Sequence, residues 1–401
     1  MMNRRDALKA LPLAAYAARA AAPAPGYQVG AYYFPGYHAD PRTGAAHGEG
    51  WTEWELAKRA EPRFAGHQQP KKPLWGYEDE SDPRVFAKKI DAAADHGLHH
   101  LLFDWYWYED RPFLNRALDE GYLQAANQRR LRFALMWANH DWLEIQPVKL
   151  NVQPGQLHAG AVDATVFEHI TDHVIENYFR HPSYWTINGA PYFSIYELYK
   201  LVQGLGGVEP TRAALQRFRE KTKAAGFPEL HLNAVLWGVQ IGSGEQQVKN
   251  PKELLAVLGF QSTTSYVWIH HVRLDQFPVT AYGEVARKAP ELWRSAAGAF
   301  GLPYHPNVTM GWDSSPRTCQ SDRYLNKGYP FTPTLGGNTP AAFRESLRVA
   351  REFLDSNPAQ PRILAINAWN EWTEGSYLEP DTIHRFEYLQ AIRDVFGRDQ
   401  G

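Results

Sequence analysis

The stretch PRVFAKKIDAAADHGLHHLLFDW, residues 83–105, holds the pattern that decides the fold. Its first part, Pro83 to His96, places apolar residues at helical spacing, and an apolar run follows from Leu98 to Trp105. The helical spacing predicts an amphipathic helix, and the apolar run predicts a buried strand. Strands and helices in alternation indicate a parallel sheet that is covered by helices.

The same alternation extends through the chain from Tyr27 onward. We predict strands at Tyr27 to Phe34, Leu98 to Trp105, Leu131 to Ala138, Tyr184 to Ile195 with a turn at Asn188-Gly189, Leu230 to Trp237, Gly259 to Val267, His305 to Gly311 and Arg362 to Trp369. Helical patterns separate them, for example Pro83 to His96, Phe113 to Asn127, Val166 to Tyr178, Thr211 to Ala225, Thr280 to Ala299, Pro340 to Ser356 and Ile383 to Phe396. Eight repeats over about 370 residues match one (β/α)₈ TIM barrel with long βα loops better than a doubly wound sheet with a second domain. We therefore assign residues 26–401 to a single α/β barrel domain.

The residues that follow the predicted strands indicate where a site lies. In a TIM barrel the carboxyl ends of the strands face the active site. Aromatic and hydrogen-bonding residues collect at these ends, although a purely structural barrel would not need them there. Each has a structural alternative, since Asp104 or Asp313 could cap a helix and His140 could be a loop histidine. The candidates for substrate contact are Tyr33, His38, Asp104, Trp105, Asn139, His140, Tyr266, Trp268 and Asp313.

The eighth predicted strand leads into WNEWTEGSYLE, residues 369–379, which contains the candidate catalytic pair. Glu371 and Glu374 are three positions apart, and a helical turn would bring both side chains onto one face. Burial among tryptophan side chains raises the pKa of the more desolvated carboxyl, so one can hold a proton while the other stays ionised. Such a pair supplies a general acid and a base. The alternative is a solvated pair of glutamates in an ordinary loop.

The first predicted strand is followed by a loop from Pro35 to about Ser81, far longer than most connections of this kind. A long loop on the active-site rim of a barrel usually carries function. Trp51 and Trp54 are candidate platforms for sugar rings, and Glu53 is a candidate acceptor for a sugar hydroxyl. Alternatively, the two tryptophans only fix the loop onto the barrel.

The composition limits the kinds of partner. The chain has 42 Lys and Arg against 44 Asp and Glu, so no global field attracts nucleic acid or an anionic membrane. With 14 Trp and 21 Tyr, it has more aromatic residues than a core of this size needs. Because flat aromatic faces bind sugars, we expect a carbohydrate partner.

Motifs for several other chemistries are absent from the sequence. It contains no H-E-x-x-H, and the histidines in the pairs 99–100 and 270–271 would point apart in strands, so we predict no metal site. It also lacks a G-x-S-x-G elbow, a Walker loop and a G-x-G-x-x-G after a strand, which argues against serine hydrolases, NTPases and dinucleotide sites. We expect no cofactor. The single cysteine, Cys319, is interpreted as structural.

Residues 1–25 are typical of an export signal rather than of a folded domain. Arg4-Arg5 precedes an alanine-rich stretch, and the small residues from Ala20 to Pro25 suit a signal peptidase. We predict a twin-arginine-type signal and a periplasmic or secreted protein. Arg19 interrupts the apolar region, so a short disordered tail is the alternative. We expect no integral membrane segment in the mature protein, because no other run of about 18 apolar residues occurs.

Five blocks of sequence together carry a resemblance to a known group. They are YYFPGYH at 32–38, GWTEW at 50–54, GHQQP at 66–70, WAN at 137–139 and NEWTEG at 370–375. The combination resembles the glycoside hydrolase family 99-like group, which includes the WbsX-like glycosyltransferases. The resemblance implies a (β/α)₈ fold and, as in endo-acting α-mannosidases and α-mannanases, retention of anomeric configuration. It further implies that Glu371 is a base toward the sugar 2-hydroxyl and Glu374 the acid/base at the glycosidic oxygen. In the same motif, Asn370 and Trp372 are candidates for substrate contact. The W-T-E-W block is more similar to the WbsX-like branch than to the characterised mannosidases.

The spacing of the glutamates agrees with this resemblance up to a point. Carboxyl groups about 5 to 5.5 Å apart are typical of retaining glycosidases with a direct nucleophile. Two side chains from one turn lie on the same side of the substrate, however, whereas attack by the sugar's own 2-hydroxyl needs no flanking pair. We therefore expect a retaining glycoside hydrolase that acts on an α-linked, mannose-like glycan or bacterial polysaccharide. The alternatives are a sugar-nucleotide-dependent glycosyltransferase, which the export signal opposes, and a non-catalytic glycan-binding barrel.

Overall fold

The structure, a computed structural model, describes residues 26–237 and 250–397, so the predicted export signal at residues 1–25 lies outside the described residues. Eight parallel strand positions form the barrel. They are β1 (Gln28–Tyr33), β2 (His100–Tyr108), β3 (Arg132–Trp137), β4 (Ala190–Ile195), β5 (His231–Leu236), β6 (Ser262–Ser265), β7 (Tyr304–His305 and Asn307–Thr309) and β8 (Ile363–Asn367).

The sheet closes on itself through β7, which is interrupted at Pro306. Its first piece pairs with β6 at Thr263 and Tyr304, and its second piece pairs with β8 at Asn307 and Ala365. Strand β8 in turn pairs with β1, and every pairing around the ring is parallel. The predicted TIM barrel is confirmed.

Helices from α3 onward surround the ring, and α1 and α2 lie in the long loop after β1. The α-helices are α1 (Pro41–His47), α2 (Trp54–Arg59), α3 (Pro83–Asp95), α4 (Ala164–Val174), α5 (Leu198–Gly204), α6 (Val208–Ala224), α7 (Pro251–Leu258), α8 (Tyr282–Ala286), α9 (Ala289–Phe300), α10 (Pro340–Asp355) and α11 (Glu387–Phe396). Short strands lie in the connections, at Arg111–Phe113, Trp142–Leu143, Gln156–His158, Thr186–Ile187, Val279–Ala281, Thr334–Gly336, Asn370–Glu371 and Ser376–Tyr377. Single turns of 3₁₀- or π-helix occur at Ala117–Tyr122, Gln128–Arg130, Ile175–Phe179, Trp268–His270, Ser315–Arg317 and Trp372–Glu374. Among the described residues, no helix is both long and apolar enough to cross a membrane.

Two predicted helices differ from the structure. The helix expected over Phe113 to Asn127 is replaced by a π-helical turn and a 3₁₀ turn, and Gly121 lies there so close to the Glu80 carbonyl that a Cβ would meet it at 2.2 Å. The helix expected over Thr280 to Ala299 is split in two, because Pro290 starts a new helix and cannot continue the previous one. Helices α1, α2, α5 and α7 match none of the helical patterns named from the sequence.

The barrel floor is packed with aromatic rings and histidines. His100 is fully buried and stacks on Trp185 with ring centroids 3.8 Å apart. His305 is buried as well and lies over Tyr192. Gly30 has no room for a side chain, since a Cβ there would come within 2.1 Å of the His100 ring. This filled floor leaves the opposite, carboxyl end of the ring as the open one.

Candidate active site

The candidate catalytic glutamates lie on a tight hairpin directly after β8. Asn370–Glu371 pairs antiparallel with Ser376–Tyr377, and a 3₁₀ turn at Trp372–Glu374 connects the two. Gly375 closes the turn with a φ of 65°, and a Cβ at this position would approach the Asp313 side chain to 2.6 Å. The hairpin therefore presents both carboxylates on the same side.

One buried arginine joins the two glutamates. Arg317 donates from Nη1 to Glu374 Oε1 at 2.5 Å and from Nη2 to Glu371 Oε2 at 3.3 Å. Its Nε donates to Glu53 Oε1 at 2.9 Å. All four side chains are buried, so three carboxylates share a single guanidinium. A net negative charge in a buried site favours the uptake of protons.

Two tyrosine hydroxyls complete the hydrogen bonds of this cluster. Tyr329 donates to Glu374 Oε1 at 2.9 Å. The Tyr266 hydroxyl lies 2.8 Å from Asp104 Oδ2 and 3.2 Å from Glu371 Oε1. Because a phenol has one proton, both contacts are hydrogen bonds only when Asp104 or Glu371 carries a proton of its own.

The electrostatics separate the two glutamates. Burial, together with the neighbouring Glu374, raises the pKa of Glu371 well above its usual range. Burial also raises the pKa of Glu374, but Arg317 and Tyr329 oppose this shift by stabilising its ionised form. Asp104 is buried too, and its pKa is likewise raised well above the usual range. Of the two carboxyls, Glu374 is therefore the more easily ionised and Glu371 the more easily protonated.

These groups line a cavity of about 490 Å³ at the carboxyl ends of the strands. Of the residues selected from the sequence, the cavity is lined by Asp104, His140, Tyr266, Glu371 and Glu374. Aromatic walls come from further residues that follow strands or lie in the loops, among them Tyr106, Trp142, Tyr196, Trp237, Trp312 and Tyr329. The exposed side chain of Trp237 stacks on His270 with centroids 4.1 Å apart.

Four of the selected residues support the hairpin from behind instead of lining the cavity. Glu53 accepts hydrogen bonds from Arg317 and from the Thr373 hydroxyl. Asn370 bonds both the backbone N–H and the carbonyl of Phe34, which fixes the hairpin to the end of β1. The remaining two are Trp54, whose ring packs on Tyr37 and Trp372, and Trp372, which donates to Glu379.

Six further selected residues lie away from the cavity lining. Trp105 packs beside Trp107 and His173, because side chains alternate along β2, so that Asp104 and Tyr106 point inward and Trp105 points outward. The others are Tyr33, which donates to Glu80; His38, which is buried and has no hydrogen-bond partner within residues 26–237 and 250–397; Trp51, whose ring packs on His47; Asn139, bonded to the Glu197 backbone; and Trp268, which donates to the Asn307 carbonyl.

Asp313 lies in a second, smaller cavity of about 290 Å³ on the other side of the hairpin. Its carboxylate accepts from Gln69 at 2.7 Å and contacts His67 at 2.8 Å. It therefore ties the G-H-Q-Q-P block of the long first loop to the segment that follows β7.

Sequence reasoning missed Arg317 and Tyr329, two residues that touch the catalytic pair. Both lie in the loop between β7 and α10, where neither a strand nor a helix pattern drew attention to them. A physical signal was available, since several buried carboxylates need a cation nearby and Arg317 is a cation on the active-site rim.

A family model described as glycosyltransferase WbsX matches residues 29–392 of the chain. The chain belongs to this family. The match covers the described barrel from β1 to α11, including the hairpin and both residues missed above. Family members are carbohydrate-active proteins by description, which agrees with the aromatic cavity.

Comparison with curated proteins finds relatives in Xanthomonas campestris pv. campestris. The proteins named WxcX from strains B100 and ATCC 33913 are each 28% identical to this chain over 385 residues, which is 92% of this chain. Both are described as uncharacterized. The match takes up 49% of their length, so the chain spans about half of these relatives.

Solved structures show the same fold. The GH99 endo-α-mannosidase from Bacteroides thetaiotaomicron superposes with a TM-score of 0.50 and 14% identity, covering 92% of this chain and 96% of that one. A protein described as glycoside hydrolase-like superposes with a TM-score of 0.57 and 13% identity, covering 93% and 94%. At these identities the likeness is one of fold.

Proposed function

We propose that this protein is a retaining glycoside hydrolase that cleaves an α-linked, mannose-like glycan or bacterial polysaccharide. The observation that carries the proposal is the joint contact of Glu371 and Glu374 with one buried arginine at the edge of an aromatic cavity. A proton shared by two desolvated carboxyls supplies the acid and the base that glycosidic cleavage needs. The barrel shared with an endo-α-mannosidase supports the substrate class.

The placement of both glutamates on one hairpin favours attack by the substrate's own 2-hydroxyl. Glu371 takes the proton of that hydroxyl while the hydroxyl oxygen forms a bond to the anomeric carbon. At the same time, Glu374 protonates the departing glycosidic oxygen. Water then opens the resulting 1,2-anhydro sugar, giving its proton to Glu374, while Glu371 returns a proton to the 2-oxygen. Two displacements at the anomeric carbon give overall retention.

This sequence of steps needs the proton on Glu374 when the reaction begins. In the free protein, Arg317 and Tyr329 favour the ionised form of Glu374 instead. A substrate hydroxyl that donates to Glu371 stabilises the ionised form of Glu371, so the shared proton moves to Glu374 on binding.

The direct test is to replace each glutamate by glutamine. We expect Glu371→Gln and Glu374→Gln each to reduce the release of new reducing ends from α-mannans or bacterial polysaccharides by about 100-fold or more, since acid–base catalysis contributes about 10²–10⁴. Glu253→Gln, on the outer helix α7, serves as the control that keeps activity. Near-normal turnover in both site variants would contradict the proposal.

A glycosyltransferase is the second candidate, and the description of the matched family favours it. It requires a sugar nucleotide as donor. Calorimetric binding of a sugar nucleotide to the purified barrel, with transfer and no hydrolysis, would establish this candidate over the first. Binding of an oligosaccharide that stays intact in the same assay would instead indicate a non-catalytic glycan-binding barrel.

We further propose that residues 1–25 direct the protein out of the cytoplasm through a twin-arginine route. The paired arginines and the small residues up to Pro25 support this proposal. A reporter fused to residues 1–25 should be exported, and replacing Arg4 and Arg5 together by lysine should retain it in the cytoplasm. Export that is insensitive to this double change would contradict the proposal.

A further inference from the structure

The second cavity, on the other side of the catalytic hairpin, is separate from the first. Its volume is about 290 Å³, near the lower end of the range for small-molecule sites. Among the described residues, none lines both cavities. A Cβ added at Gly375 would come within 2.6 Å of Asp313 Cβ and 2.7 Å of Lys71 Nζ. Both side chains therefore lie directly against the turn that carries Glu374.

The ammonium group of Lys71 faces this cavity without a hydrogen-bond partner within residues 26–237 and 250–397. Its Nζ lies 3.9 Å from Asp313 Oδ2, which is too long for a hydrogen bond. The side chain is 17% exposed, so the ammonium is accessible to a ligand. An ammonium has three N–H donors, and a mostly buried one normally finds acceptors. These donors mark a place for acceptor atoms of a ligand.

Two other side chains of the lining also have unused polar atoms. Asn338 donates from Nδ2 to the Met310 carbonyl at 3.2 Å, but its Oδ1 accepts from no donor in the described part of the chain. The partly exposed ring of His384 has its Nδ1 3.9 Å from Glu387 Oε2, again beyond hydrogen-bond distance. The cavity thus offers donors, an acceptor and an imidazole that can take either role. Hydroxyl groups, which both donate and accept, match this combination.

The charges of the lining favour a neutral ligand. Lys71 is accompanied by two carboxylates, Asp313 and Asp381, so the cavity carries no excess of positive charge. Both carboxylates already have partners. Those of Asp313 are described above, and Asp381 accepts from the Tyr377 hydroxyl at 2.9 Å. An anion would gain the attraction of one ammonium but meet the repulsion of two carboxylates.

Apolar side chains line the same cavity. They are those of Phe64, Val279 and Ile383, and all three are accessible, with Ile383 55% exposed. A sugar ring presents C–H groups beside its hydroxyls, whereas an inorganic ion or a water cluster presents none. Free polar groups next to accessible apolar surface are typical of a site for a small organic ligand.

We propose that the second cavity binds a neutral sugar unit, apart from the catalytic cavity. Hydroxyl oxygens of the sugar accept from Lys71 Nζ, a hydroxyl donates to Asn338 Oδ1, and the His384 ring takes either role. The inference goes beyond the proposed hydrolysis, because this site takes no part in bond cleavage. A second point of attachment raises the effective concentration of a polysaccharide at the barrel.

Ligand-observed NMR titration of the protein with four methyl glycosides tests this site. Three are neutral: methyl α-D-mannoside, methyl α-D-glucoside and methyl α-D-galactoside. The fourth, methyl α-D-glucuronide, differs from the glucoside by a carboxylate at C6. We expect at least one neutral glycoside to bind, and we expect the glucuronide to bind no more tightly than the glucoside because of the two aspartates.

Variants assign the binding to the second cavity. Lys71→Met removes the ammonium and should weaken the neutral glycoside about tenfold or more, since hydrogen bonds to charged groups are the stronger ones. Lys72→Met, at the exposed next position, is the matched control. His384→Phe keeps a ring without nitrogens and should weaken binding about threefold or more, whereas His169→Phe on exposed α4 surface should not. The His384 variant carries the test should Lys71→Met fail to fold.

Three results would overturn the inference. They are the binding of no neutral glycoside, binding that survives Lys71→Met or His384→Phe in a folded protein, and a preference for the glucuronide that depends on Lys71. The second would leave the catalytic cavity as the place of binding, and the third would make the second cavity an anion site. Because the readout is binding, it does not depend on turnover. Absence of new reducing ends with intact Lys71-dependent binding would contradict the hydrolase proposal and leave this site standing.

Discussion

Arg317 is the residue on which the charge balance of the site depends. It is the cation in contact with Glu53, Glu371 and Glu374, and removing it leaves three buried carboxylates side by side. A nearby cation lowers the pKa of a carboxyl, so its removal raises the pKa values of the catalytic pair.

Replacing Arg317 therefore has a predicted signature in pH. We expect Arg317→Met to shift the whole profile of kcat/KM against pH toward higher pH, because the pKa values of both the acid and the base rise. Arg317→Lys restores one positive charge and should shift the profile less. Arg323→Met, on the exposed part of the same loop, is the control. A profile that stays in place in Arg317→Met would show that the arginine does not set the protonation of the pair.

Some residues of the site were predictable from the sequence and others were not. Glu371 and Glu374 stand in a compact motif after a clear strand, so their place at the barrel mouth was predictable. Arg317 contacts them from a loop that has no periodic sequence pattern. The closed barrel brings this loop next to the hairpin, so the contact was not predictable from local sequence. Asp104 and Trp105 were both selected at the end of β2, and the alternation of side chains places only Asp104 in the cavity lining.

At the scale of elements, a buried network joins α3 to the catalytic hairpin. Lys89 of α3 forms ion pairs with Glu80 and with Glu379. Glu379 in turn accepts hydrogen bonds from the indoles of Trp369 and Trp372, on either side of Glu371. The helix therefore holds the hairpin from behind.

Removing this cation should destabilise the fold strongly. Lys89→Met leaves two carboxylates buried without a cation, and breaking such a pair costs about 3–5 kcal/mol. The neighbouring Lys88 pairs with Glu78 at a partly exposed position, so Lys88→Met should cost less than about 1 kcal/mol. Urea unfolding of the two variants measures the difference. Equal stabilities would mean that the buried network adds nothing to the fold.

Element boundaries were predictable where the local pattern agreed with the tertiary fold. Strands β1, β3 and β8 and helix α10 match their predicted spans to within a few residues, because each carries an uninterrupted apolar stripe. The connection between β2 and β3 departs from its helical pattern, since Gly121 must approach the Glu80 backbone closely there. Because these two residues are 41 positions apart, no local sequence pattern predicts their contact.

At the scale of the whole molecule, buried neutral histidines make stability depend on pH. Burial, with Arg116 nearby, lowers the pKa of His38 to about 4, and burial lowers the pKa of His305 to about 3. In the unfolded chain these histidines take up protons near pH 6.5, whereas in the folded protein they take them up only at lower pH. Stability that is present above pH 6.5 is therefore lost as the pH falls toward 4, by about 3 kcal/mol for His38 alone.

Thermal unfolding at pH 7 and pH 4.5 tests this dependence. We expect the wild-type Tm to fall between the two, and His38→Phe to reduce the fall, because phenylalanine fills the site without a titrating group. The carboxylates contribute equally to the fall in Tm of both proteins, so the difference between the two falls is due to His38. The same fall in Tm in both proteins would contradict the assignment.

The stereochemistry of the first product tests the central claim most directly. ¹H NMR of an α-mannan digest, recorded within the first minutes, should show the α-anomer of the new reducing end before mutarotation produces the β-anomer. The β-anomer appearing first would contradict the double displacement through Glu371 and Glu374, and the absence of any new reducing end across the polysaccharides tested would contradict hydrolysis itself.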